Sequence, residues 1–287
     1  MTLPERSAGA VEPREPHVTI VRPTKGGGHV GLQELWEFRE LLYYLVWRSV
    51  KVRYKQTVLG ASWAVLQPLL TMLVLSVFLG RIARVPSDGI PYPLFAYAGL
   101  VTWTYYNSAL SQATQSIVEQ QAMITRVYFP RILLPISGVL AATMDMLLSL
   151  PMLIALMLFY GVAPSQAVWT VPVFLLLAAA AALGIGLWLS ALNVRYRDVR
   201  FAIPFLIQLW FLATPVMYPS SVMPERWRVL YGINPMAGIV EGFRWGLMGA
   251  TVPPGRMLLV STAVILVALA GGFHYFRRME ATFADVV

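Results

Sequence analysis

Several long apolar runs constrain this chain more than any other feature of its sequence. Six such runs lie at about 59–79, 94–111, 133–160, 168–192, 202–217 and 257–276. An α-helix needs roughly 20 apolar residues to cross about 30 Å of hydrocarbon, whereas a membrane β-barrel is built from short alternating segments. Only 13% of the 287 residues are charged and 57% are hydrophobic. The sequence therefore predicts an all-α integral membrane protein with six transmembrane helices.

The basic residues predict the orientation of these helices. Sixteen of the 22 Lys and Arg residues fall on one side of the six-span topology. Because the cytoplasmic flanks of membrane helices collect Lys and Arg, both termini are predicted to be cytoplasmic. Residues 1–31, rich in Pro and Gly, and residues 279–287 are then cytoplasmic tails. The membrane flanks account for the net charge of +8, so no nucleic-acid partner is predicted.

The segment 32–57 has the pattern of an amphipathic helix. Apolar residues recur at steps of three and four from Leu35 to Val50, with charged residues between them. Such a helix is expected to lie in the membrane interface. Its second half carries four basic residues: Arg48, Lys51, Arg53 and Lys55. These cations suit a lipid diphosphate at the inner leaflet, and simple anchoring to anionic lipid explains them equally well.

Residues suited to catalysis are sparse. The three His residues, His17, His29 and His274, are far apart in the sequence, and there is no Cys. Asp145 is the one carboxylate inside a predicted span. A charge in that position is a functional candidate by default, and a polar contact between helices is an equally good interpretation. The sequence predicts no catalytic, cofactor or metal site on this chain.

Three stretches are expected to depart from regular spans. The polar segment that follows 94–111 is predicted to be a loop on the inside. Pro135 and Pro151 predict an interrupted third span. Residues 219–248 mix apolar and polar residues, which favours short interfacial or re-entrant helices.

Four segments resemble a known family of transporters. They are RSVKVRYKQTVLGASWAVLQP (48–68), RVYFPRILLP (126–135), RYRDVR (195–200) and INPM (233–236). They are similar to segments in the permease subunits of type-2 ABC transporters that export lipid-linked polysaccharides, the O-antigen and teichoic-acid exporters. The resemblance extends from about residue 32 to the C-terminus.

The resemblance implies a transport subunit and not an enzyme. It implies a membrane domain at 58–278 that forms a homodimer in the bacterial inner membrane. Two separate ATPase subunits would bind ATP and Mg²⁺, and the cargo would be a glycan linked to undecaprenyl diphosphate, such as an O-antigen. The short helices at 219–248 would form an outer gate, with these candidate residues: Pro224, Asn234, Pro235, Glu241 and Arg244.

The segment 117–131 is similar to the coupling helix with which such permeases contact the ATPase. Pro130 would end a helix that presents aromatic side chains beside charges. The candidate contacts are Glu119, Arg126, Tyr128, Phe129 and Arg131, with Arg195, Arg197 and Asp198 in a second loop. An ordinary loop beside the membrane is the alternative.

A polysaccharide needs a wide path whose walls carry aromatic rings and polar groups. The candidate lining residues are Tyr97, Trp103, Tyr105, Tyr106, Trp210, Tyr218 and Trp245. Aromatic belts at the membrane interfaces explain the same residues equally well.

Two other functions are compatible with parts of this pattern. A type-2 ABC permease for a small hydrophobic drug or lipid would share the topology but have a narrower, less aromatic path. A membrane-embedded enzyme that modifies glycans is the third possibility, and the lack of a His or carboxylate cluster disfavours it.

Overall fold

The computed structural model describes residues 36–55, 60–196, 198–249, 253, 255–280 and 283. The regular structure in these ranges is entirely helical. The predicted tail 1–31, the start of the predicted amphipathic helix and Arg197 lie outside the described residues, as does most of the predicted tail 279–287.

The helices follow one another in this order: α1 (Arg39–Lys55), α2 (Ser62–Leu75, continued by a π-helix at Ser76–Ile82), α3 (Tyr92–Glu119), α4 (Gln121–Ile124), α5 (Leu133–Tyr160), α6 (Val171–Arg195), α7 (Val199–Leu212), α8 (Glu225–Tyr231), α9 (Pro235–Met248) and α10 (Gly255–Glu280). One-turn 3₁₀ helices precede α6 and α8, at Val168–Thr170 and Ser220–Val222. The predicted short helices between α7 and α10 are therefore present.

Four helical stretches are long and apolar enough to cross a membrane. They are Ser62–Ile82, Leu133–Tyr160, Val168–Arg195 and Gly255–Glu280. The helix α7 is apolar but shorter. At 28 residues, α3 also has the length for a crossing, although its sequence is more polar. The chain is thus a multi-pass membrane protein.

The helix α3 forms the centre of the bundle. It packs closely on both α5 and α6, and α10 packs on the other side of α6. The inside loop predicted after residue 111 is wrong at its start, because α3 continues to Glu119. Its polar side chains are accommodated inside the protein: Thr114 donates to the carbonyl of Leu110, and Asn193 donates to the carbonyl of Thr114.

The predicted interruption of the third span is also wrong, since α5 is continuous from Leu133 to Tyr160. Pro135 lies in the first turn, where the backbone N–H needs no helical partner. Pro151 lies within the helix, a position that transmembrane helices tolerate. In contrast, α7 ends at Leu212, short of the predicted 217, because the chain turns before Pro215.

Small residues allow two of the helices to approach closely. A Cβ atom placed on Gly272 of α10 would lie 2.2 Å from the carbonyl oxygen of Gly184 on α6. Membrane helices commonly associate through such small residues, because their backbones then pack directly. The connection from α1 to α2 also requires glycine, since Gly60 adopts a φ of +48°.

Candidate functional site

A half-open cavity of about 690 Å³ lies between α2, α3 and α5, beside the end of α1. Its wall on α3 is a stripe at helical spacing: Thr104, Asn107, Ser108 and Ser111. From α2 it receives Trp63 and Gln67, and from α5 it receives Asp145, Met146 and Ser149. A cavity with this many hydrogen-bonding groups within a membrane domain is a candidate binding site.

An ion pair forms the wall of the cavity next to α1. The carboxylate of Asp145 accepts hydrogen bonds from the guanidinium of Arg53 and from the hydroxyl of Tyr54. The side chain of Asp145 is only 19% exposed. The one carboxylate predicted inside a span therefore links α5 to the interfacial helix, which agrees with the interpretation as a contact between helices.

This pairing separates Arg53 from the other basic residues of α1. Arg48 donates to the side-chain oxygen of Gln120 at 2.9 Å. Lys51 and Lys55 are exposed and lie beside the aromatic rings of Tyr44 and Trp47. The face of α1 that suits an anionic headgroup is thus made by Lys51, Lys55 and Arg48, while Arg53 points to the cavity.

The segment predicted to contact an ATPase has one exposed part. Tyr128 is 72% exposed and Arg126 is also exposed, between α4 and the start of α5. Arg195 and Asp198 are exposed between α6 and α7, at the same end of the bundle. Glu119 ends α3 there and is exposed, and the neighbouring protein raises the pKa of its carboxyl by partly shielding it from water.

Two residues of the same segment face inward, contrary to the predicted contacts. Phe129 is only 4% exposed and packs in a cluster with Phe276 and Phe283. Both the backbone N–H and the guanidinium of Arg131 donate to Glu280, at the end of α10. The inward position of Phe129 has a physical reason, because burial of its apolar ring in this cluster is favourable in free energy relative to exposure to water. These two residues attach the segment to α10.

At the opposite end of the bundle, Arg244 of α9 is 1% exposed and joins three parts of the fold. Its guanidinium donates to the carbonyl oxygens of Phe95, Pro215 and Val216, at 3.1, 2.7 and 2.6 Å. It also lies 3.6 Å from the centre of the Phe95 ring. The carboxylate of Glu241 is 3.6 Å away and accepts from the backbone N–H of Ser220.

Comparison of the sequence with known proteins identifies the family. The family model described as "ABC-2 type transporter" matches residues 40–248, from α1 to the end of α9. The chain belongs to the ABC-2 type transporter family. The predicted resemblance is therefore confirmed, and so is the prediction of a transport subunit instead of an enzyme.

Relatives of this ABC-2 family member match more than four fifths of its length. It is 31% identical over 259 residues to the "O-antigen export system permease protein RfbA" of Myxococcus xanthus. The matched region covers 89% of the chain and 98% of that relative. It is 28% identical over 250 residues to a protein of the same description from Klebsiella pneumoniae, covering 86% of the chain and 95% of the relative. With the "Polysialic acid transport protein KpsM" of Escherichia coli the identity is 24% over 242 residues, 81% of the chain and 91% of the relative.

The structure divides the aromatic residues predicted to line a path in this ABC-2 permease. Tyr97, Trp103 and Tyr106 are buried in the core, where the ring of Trp103 packs on that of Tyr106. These three rings fill the bundle and do not reach the cavity, because α3 is surrounded by other helices. Tyr105 is also largely buried, but it contributes to the cavity wall.

The remaining aromatic candidates lie around the short helices. Trp210 donates to the side-chain oxygen of Asn234 at 2.8 Å, and the hydroxyls of Tyr218 and Tyr231 are 2.9 Å apart. Trp245 is partly buried on α9. Pro224 and Asn234 precede α8 and α9, and Pro235 is the first residue of α9, so these three residues define where the helices begin.

Sequence reasoning missed the stripe on α3 and the residues that hold the coupling segment. The stripe has a visible signal, since 104, 107, 108 and 111 follow the period of a helix. Glu280 and Phe283 have no such signal, because they lie in the predicted tail and the residues that they contact, Arg131 and Phe129, are about 150 positions away.

Proposed function

We propose that this chain is the membrane subunit of an ATP-driven exporter that moves a lipid-linked polysaccharide, such as an O-antigen, outward across the bacterial inner membrane. The carrying observation is the similarity to O-antigen export permeases, which covers 89% of this chain and 98% of the first relative described above. A similarity that covers most of both proteins supports a shared activity better than a similarity in one motif.

The proposed topology has six crossings, by α2, α3, α5, α6, α7 and α10. The ends that carry α1, Arg126 and Arg195 then face the cytoplasm, as the distribution of basic residues favours. The helices α8 and α9 lie at the outer side and form the gate. In this arrangement the C-terminal end of α2 and the helix α9 lie at the outer side of the membrane, to which the glycan is delivered.

The proposed assembly is a homodimer of this chain with two ATPase subunits, which bind ATP and Mg²⁺. Exposure favours Arg126 and Tyr128 as the contacts of the ATPase, with Arg195 and Asp198 beside them. Movement of the ATPase is transmitted to α10 by Phe129, Arg131 and Glu280, because these residues join the segment 117–131 to α10. On α1, Lys51 and Lys55 attract the diphosphate of the cargo at the inner leaflet.

Deletion of the gene in its native host tests this proposal. The expected result is loss of the long-chain polysaccharide from the cell surface, its accumulation inside the cell, and recovery when the parent gene is restored. A tagged copy purified in mild detergent is expected to carry an ATPase subunit. Intact surface polysaccharide in the deletion strain, or export of a drug in its place, would show that the proposed cargo is wrong.

A further inference from the structure

We infer that the cavity between α2, α3 and α5 binds an uncharged sugar unit of the cargo, an inference that rests on the proposed function. The inference comes from three properties of its wall: unpaired hydrogen-bonding groups, an exposed aromatic ring and a balanced charge. Each of these is a property of the described side chains and is independent of the comparisons with other proteins.

The first property is a set of amide and hydroxyl groups without partners. Among the described residues, the amide of Gln67, the hydroxyl of Thr104 and the side-chain N–H groups of Asn107 make no hydrogen bond, and all three side chains line the cavity. Together they offer donors and acceptors in several directions. A lipid acyl chain in this position would leave them unsatisfied, at a cost of several kcal/mol. A ligand that carries hydroxyl groups would satisfy them.

The second property is an aromatic surface in the wall of the cavity. Trp63 lines the cavity and is 55% exposed, so one face of its indole is available. Tyr105 contributes a second ring from α3. Aromatic rings combine a large apolar surface with a polar edge, which suits a sugar ring with apolar C–H faces and hydroxyl edges.

The third property is the charge, which separates a sugar from a phosphate. Among the described residues of the wall, Arg53 is the one cation, and it already pairs with Asp145. A diphosphate in the cavity would lie close to this carboxylate, and like charges repel strongly where the dielectric constant is low. The exposed Lys51 and Lys55 lie on the same helix as Arg53, just outside the cavity. The geometry therefore suits a glycan whose diphosphate stays on α1 while a neutral sugar enters the cavity.

Photocrosslinking in the native host tests the inference. The probe is the photoreactive amino acid p-benzoylphenylalanine in the complete transporter. It is placed at Ala64, which lines the cavity on α2 and contributes none of the named polar groups. The matched control carries it at Leu73, which is exposed on the same helix but does not line the cavity. We expect a glycan-bearing adduct at position 64 that disappears in a strain unable to start glycan synthesis, and no such adduct at position 73.

Two substitutions then test the named groups. Asn107→Leu, combined with the probe at position 64, is expected to lower the yield of the adduct about tenfold, equivalent to one lost hydrogen-bonded contact. Thr71→Val, a change on α2 outside the cavity, is expected to keep the yield within about twofold.

The outcomes separate this inference from the proposed function. Normal export with no glycan adduct at position 64, or with adducts to phospholipid only, would overturn the sugar site and leave the exporter intact. An adduct that is insensitive to Asn107→Leu would also contradict it. Failure of the proposed function would instead be seen as intact surface polysaccharide in the deletion strain.

Discussion

Replacement of Arg244 by Ala should destabilise the protein more than any other single change at the end of the bundle that carries α8 and α9. The guanidinium is 1% exposed and supplies hydrogen bonds to three backbone carbonyls, which belong to α3 and to the turn after α7. The variant Arg244→Ala removes all three donors and the cation next to Glu241. Three chain segments then lose their common contact at once.

The magnitude follows from what stays buried. Each carbonyl left without a donor costs about 1–3 kcal/mol, and removal of one partner of a buried ion pair costs about 3–5 kcal/mol. These costs overlap, because water can enter the space that the side chain leaves and the carboxyl of Glu241 can take up a proton. We expect a net loss of about 4 kcal/mol in the free energy of unfolding. At roughly 2–4 °C per kcal/mol this lowers the Tm by about 10 °C.

Thermal unfolding of the purified permease in one detergent measures this effect. Arg256→Ala is the matched control, because Arg256 is exposed at the start of α10, and its Tm should change by no more than about 2 °C. Arg244→Lys keeps the charge but loses the forked geometry, so its Tm should lie between those of Arg244→Ala and the parent. A Tm for Arg244→Ala within about 3 °C of the parent would refute the argument that the three carbonyls depend on this side chain.

Three further predictions concern the opposite end of the bundle and its packing. Tyr128→Ala should change stability by less than about 0.5 kcal/mol yet reduce co-purification of the ATPase, whereas Phe129→Ala should cost about 3–5 kcal/mol; equal stability of the two variants would contradict the inward position of Phe129. Gly272→Val should lower the Tm by separating α6 from α10, at a cost of about 1–3 kcal/mol, and an unchanged Tm would disprove the close contact. Glu119→Gln should raise the Tm at pH 7 and leave it unchanged near pH 4. A raised pKa means that ionisation of this carboxyl disfavours the folded state, so the parent protein loses stability as the pH rises above the unfolded pKa. The same difference in Tm at both pH values would contradict this.

The prediction of the membrane helices succeeded where apolar composition alone decides the structure. The third span was predicted at 133–160 and α5 occupies Leu133–Tyr160. The prediction failed where a polar sequence is buried in protein: α3 runs eight residues further than the span and loop assignment allowed, to Glu119. Hydropathy measures the cost of contact with lipid, and α3 is covered by its neighbours, so that cost does not apply to it.

The candidate site was predictable in its residue types but not in its partners. The sequence pointed to Asp145 as an unusual charge and to Arg53 as one of four cations in the second half of the amphipathic segment 32–57. It could not join them, because 92 positions separate the two residues and the pair depends on how α1 packs on α5. For the same reason the sequence predicted Phe129 as a contact of the ATPase, although the cluster with Phe276 and Phe283 buries it.

The sequence by itself determined the class of the protein. In the hydrocarbon core of a bilayer there is no water, so a crossing segment must form its backbone hydrogen bonds internally, and a helix needs about 20 apolar residues to cross. It also determined the family, through segments such as 48–68. Only the tertiary structure decided which polar groups remain available. Packing pairs Arg53 with Asp145, encloses Arg244 among three carbonyls and leaves Gln67, Thr104 and Asn107 facing a cavity. Hydrogen-bond partners are chosen by three-dimensional proximity, and no local pattern in a chain records that proximity.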